Sequence, residues 1–165
     1  MSAVLLLPLS LSTLRAADVT SLLQDAKMSA NQLKLDAVQM ESYTRSKMNW
    51  QSHSSQISRI KEHIDRAGEI VSKLEDARGS VEQWHQASID RITPVLKELA
   101  SNTESIINHL NKAPNHLMNP TYKEYLASNA ELASELSKLV GDAVDYDTTK
   151  TKIQSLQEKL GKLEL

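Results

Sequence analysis

The chain has no cysteine and no phenylalanine, and only four glycines and four prolines among its 165 residues. Without cysteine there are no disulfides, no thiolate metal ligands and no thiol nucleophile, so stability must come from an apolar core. Scarce glycine excludes a phosphate-cradling loop. No G-x-S-x-G, H-E-x-x-H or C-x-x-C-H motif occurs either. These absences point away from enzymatic chemistry and from a covalently held cofactor. The same shortage of breakers leaves long open stretches. Residues 18–67 contain neither proline nor glycine, and Leu, Ala, Ser, Lys, Glu and Gln dominate the chain. Such a composition predicts long helices and an all-α fold.

A large excess of either charge is missing too. Nineteen basic residues face 21 acidic ones, a net charge of -2, which argues against nucleic-acid binding. No apolar run approaches the roughly 20 residues that a membrane-spanning helix needs. The longest, Ala3–Leu11, is followed by Leu14-Arg15-Ala16, which fits a small-residue cleavage site, although no basic residue precedes the run. Residues 1–16 are therefore expected to be a cleaved signal peptide. Residues 17–165 are expected to form a single domain in the bacterial periplasm or outside the cell. Hydrophobic content of 40% and charged content of 24% place the chain among those that fold.

Apolar residues recur at steps of three and four from Val19 through Leu23, Ala26, Ala30, Leu33, Ala37 and Met40 to Tyr43, and again from Ile57 to Leu74. Gly79 is placed as a helix-ending glycine, and Ser80-Val81-Glu82-Gln83 reads as a capping box. A third stripe runs from Val81 and Trp84 to Leu110, with Pro94 expected to kink it. Asn119-Pro120 launches a fourth, whose stripe is Tyr122, Tyr125, Leu132, Leu136, Leu139, Ala143 and Tyr146. Ile153, Leu156, Leu160 and Leu163 continue the pattern, either after a break near Gly141 or as a projecting end. The stretch NWQSHSSQ, residues 49–56, permits one rod from 18 to 78 by periodicity. Its serines, and the length of the third helix, favour a hinge there. The expected architecture is an up-down-up-down four-helix bundle with an additional or extended C-terminal helix.

Candidate sites follow from that register. If the second and third helices meet antiparallel at Gly79, His53 and His109 come within about a turn of each other near Trp50, and the loop bearing His116 leaves from the same end. His53, His109 and His116 are the candidate ligands for zinc, copper or nickel, and a small metal- or haem-binding bundle is the alternative reading. Haem is weakly served, since no histidine follows His116 to oppose Met28 or Met40. Glu82 and His85 share the Glu-x-x-His spacing of dimetal bundles, but in one copy only. Trp50, Tyr122 and Tyr125 are candidate partner-binding aromatics, with the packing of a bundle end as the competing role. The favoured expectation is a non-enzymatic exported bundle that binds a protein partner or self-associates through its C-terminal helix.

Overall fold

A computed structural model describes residues 16–162. The expected signal segment lies outside the described residues except for Ala16, which begins the first helix. Four α-helices and no strand are present among the described residues: α1 (Ala16–Ser46), α2 (Trp50–Ala77), α3 (Gln83–Lys112) and α4 (Pro120–Gly161). Each helix packs against two neighbours in a ring, α1 on α2, α2 on α3, α3 on α4 and α4 on α1. Short connections make consecutive helices antiparallel. The chain is therefore an all-α up-down-up-down bundle, as the stripes require.

The core is the sum of those stripes. Val19, Leu23, Ala26, Ala30, Leu33, Ala37 and Met40 of α1 are buried, with Ile57, Ile60, Ile64, Val71 and Leu74 of α2. Ile89, Ile92, Leu96, Leu99, Ile106 and Leu110 of α3 meet Tyr122, Leu126, Leu136, Val140 and Val144 of α4. Met40 packs in this core whereas Met28 lies at the surface. Tyr146, expected on the buried stripe of α4, does not belong there either: it is 53% exposed.

The hinge exists, but its mechanism differs from the one the serines suggested. α1 ends at Ser46, and Lys47 adopts a left-handed φ of 51°. The Met48 N–H then bonds back to the Tyr43 carbonyl at 3.3 Å, which is the six-to-one closure of a Schellman cap. Asn49 caps α2, its side chain accepting from the Ser52 N–H at 3.0 Å. The bend thus falls at 47–49, and the serines after Trp50 sit inside α2, where first-turn N–H groups are free in any case.

Two other local expectations fail. Gly79 has no positive φ and lies in a 3-10 turn, Arg78–Ser80. The Ser80 hydroxyl donates back to the Ala77 carbonyl at 2.8 Å, and α3 starts after Glu82 with no side-chain cap. The hydroxyl is spent closing the preceding turn, so the capping box does not form. By contrast, Asn119 caps α4 as expected, accepting from the Thr121 N–H at 2.9 Å with Pro120 in the first turn. α3 continues through Pro94 as one helix, and α4 continues through Gly141 without a break.

At 42 residues α4 outreaches α1, α2 and α3, which have 31, 28 and 30. Its last buried residue is Asp147, and every residue from 151 to 162 is exposed. About 14 residues, roughly 20 Å of helix, therefore project past the bundle.

Candidate functional site

At the hinge end, the structure brings together the histidines that the register placed side by side. His53 is 1% exposed, and its Nδ1 lies 2.7 Å from the Tyr122 hydroxyl. The Tyr43 ring meets His53 edge-on at 5.4 Å, and His109 stacks on Tyr122 at 4.6 Å. His109 Nε2 donates to the backbone carbonyl of His116 at 3.1 Å, so His116 contributes its carbonyl to the contact and its side chain stays exposed. Burial pushes the His53 imidazole below its ordinary range and the Tyr122 phenol above its own. A neutral imidazole and a neutral phenol sharing a proton are what such a site favours. Among the described residues no group of three or more His, Cys, Asp or Glu is placed to hold a metal ion.

The aromatic candidates divide. Tyr122 is fully buried and plugs the bundle end. Tyr125 is half-buried on the core, its carbonyl accepting from Asn102 at 2.7 Å. Trp50 is 36% exposed, and its Nε1 donates to the Leu110 carbonyl at 3.1 Å, tying the first turn of α2 to the end of α3. Of the three, Trp50 is the most exposed.

A polar pin that the sequence reading missed joins α1 to α2. The buried Asp36 receives two bonds from Gln56 Nε2, at 2.9 Å on its carbonyl and 3.1 Å on Oδ1. His63 Nε2 lies 3.1 Å from Asp36 Oδ2. Asp36 sits between Leu33 and Met40 on the apolar stripe, and that interruption was the available signal. Thr103 and Asn129 form a smaller pin between α3 and α4. Such pairs fix helix register, because a slip would leave buried polar groups unbonded.

The opposite end carries a second aromatic cluster. Trp84 stacks on His85 at 3.6 Å and meets Tyr146 at 4.8 Å. Trp84 Nε1 donates to Glu82 at 2.8 Å, and Lys150 of α4 also bonds the Glu82 carboxylate. Both partners draw the Glu82 pKa down. His85 turns inward, Nε2 at 4.0 Å from Asp147 Oδ1, while Thr20 of α1 donates to Oδ2 at 2.7 Å. Burial lowers the His85 pKa, with Asp147 opposing. Glu82 and His85 therefore diverge and do not form a shared metal-binding face. Trp84, Ala87, Leu139, Ala143 and Tyr146 line a shallow groove of about 240 Å³ between α3 and α4.

Tyr146 lines that groove and also starts the exposed face of the projecting end of α4. Ile153, Leu156 and Leu160 are 50%, 49% and 61% exposed and share one helix face with Tyr146. Intervals of seven link Tyr146, Ile153 and Leu160, which is a heptad seam. Lys150, Lys152, Lys159 and Lys162 against Glu158 give residues 148–162 a net charge of +3, whereas residues 16–147 carry 14 basic and 19 acidic groups, a net of -5. No described helix is long and apolar enough to cross a membrane. The chain matches no protein-family model, no curated protein and no solved structure.

Proposed function

We propose that this protein is a non-enzymatic interaction module, exported from the cytoplasm, whose bundle is a rigid base and whose α4 extension docks a protein partner. The observation that carries this reading is the exposed seam of Ile153, Leu156 and Leu160 on a helix end that no other described helix covers. Fully burying each such side chain is worth about 1.5–3 kcal/mol, and a lone two-sided helix of this length is marginal in water. The seam is one residue pair wide, with lysines close on both sides. That narrowness suits a helix lying in a groove better than a membrane surface, which calls for a broad apolar face.

The test replaces Ile153, Leu156 and Leu160 with Glu in the full chain. Chemical cross-linking in extracts of the native host should give a defined adduct with the wild type and none with the triple variant, while circular dichroism melting stays the same. An unchanged adduct pattern removes the extension from the function. Export has its own readout. The mature protein, taken from the periplasmic or culture fraction, should begin at Ala17, and full-length protein confined to the cytoplasm would contradict it.

A further inference from the structure

The surface of the bundle holds a groove long enough for the extension and opposite to it in charge. It runs between α2 and α3, encloses about 470 Å³, and has Gly68, Val71, Leu96 and Ala100 along its floor. Asp65, Glu69 and Glu75 line its rim against a single cation, Lys97. Gly68 stands mid-helix in α2, at a cost of about 1 kcal/mol relative to alanine, yet a Cβ there would meet nothing within 4 Å. Nothing inside the monomer requires that glycine. Its bare backbone leaves the floor open to an approaching side chain.

We infer that the α4 extension of one copy docks in the α2–α3 groove of a second copy, so that the protein associates head to tail. This rests on the reading of the extension as a docking helix and names its partner. The seam from Ile153 to Leu160 is about 10 Å long and the groove from Ile64 to Glu75 about 16 Å, at 1.5 Å per residue. Lys152 and Lys159 flank the seam and would face the acidic rim, whereas pairing two extensions would set two segments of net charge +3 together. The extension cannot reach the groove of its own chain, because α4 packs on α1 and α3 while α2 lies diagonally across the bundle. A contact between two different surfaces propagates from copy to copy, giving a ring where the rotation closes and an open chain where it does not.

The absence of cysteine makes the test direct. Two full-length variants, Gln157→Cys beside the seam and Ser72→Cys in the groove, are mixed under mild oxidation, with Gln39→Cys on the exposed face of α1 as the control partner. The 157–72 disulfide should form at least about tenfold faster than the 157–39 disulfide, reflecting raised effective concentration. It should be lost on adding Ile153→Glu and Leu156→Glu to the first chain, or Gly68→Leu to the second. Gly68→Leu improves helix propensity and fills open space, so it leaves the monomer folded. A rate equal to the control overturns the inference, as does a faster 157–157 disulfide, which would mean that extensions pair with each other. If the disulfide fails while the host adduct still depends on the seam, the docking-helix reading stands and this inference alone falls. If neither depends on the seam, both fall.

Discussion

Lys47 occupies a backbone region where a side chain costs roughly 1–2 kcal/mol, and it does so because the chain must turn within three residues between α1 and α2. Lys47→Gly should therefore raise unfolding stability by about 1 kcal/mol, read as a higher urea midpoint at unchanged slope. His53 and His85 set the pH response. Both imidazoles are lowered by burial from an ordinary value of 6.5, so the unfolded chain binds protons more readily than the folded one below that pH. The stability they contribute is complete above pH 6.5 and is lost as pH falls through their folded values. The melting temperature should drop between pH 7 and pH 5, and His53→Phe should flatten that slope. At this scale the sequence was partly legible. His53 and His109 were placed together from register alone, and Tyr122 lay on the α4 stripe, but its bond to His53 was not legible because the two lie 69 residues apart.

Helix boundaries were legible where a side chain has one local use. Asn119-Pro120 opened α4 as expected, since a capping amide followed by a fixed φ has no competing structure to serve. Ser80 had two uses, and closing the 3-10 turn after α2 won over capping α3. Gly141 looked like a breaker, yet α4 runs through it because Val140, Ala143 and Val144 on either side are held in the core. A Cβ at Gly141 meets nothing within 4 Å, so Gly141→Ala should stabilise the bundle by about 0.5–1 kcal/mol in thermal or urea unfolding. Truncation separates the two parts of the same helix. Ending the chain after Thr151 should change stability by less than about 0.5 kcal/mol. Ending it after Val140 removes Ala143, Val144 and Asp147 from the packed end and should lower the melting temperature sharply.

The whole molecule is electrically lopsided, a bundle of net charge -5 with an extension of +3. Opposite charges on separated surfaces attract over about a Debye length, near 10 Å at 0.1 M salt. Sedimentation at rising ionic strength should therefore show association weakening with salt, whereas an interface held by apolar contact alone would hold or strengthen.

The sequence by itself determined the apolar stripes and the all-α bundle they build, because stripes of period 3.6 can be buried only against one another; whether the chain breaks at residues 47–49 and at Gly141 was left to the structure. It also placed two histidines at one end, since antiparallel register is simple arithmetic. Only the tertiary structure decided which stripe residues stay wet. Tyr146, Ile153 and Leu160 continue the pattern of Leu132 and Leu136 without a change in spacing, and periodicity carries no information about where the neighbouring helices stop. Among the described residues, none beyond Asp147 on the last helix is buried against a neighbouring helix. The apolar face there is left uncovered by the described residues of its own chain.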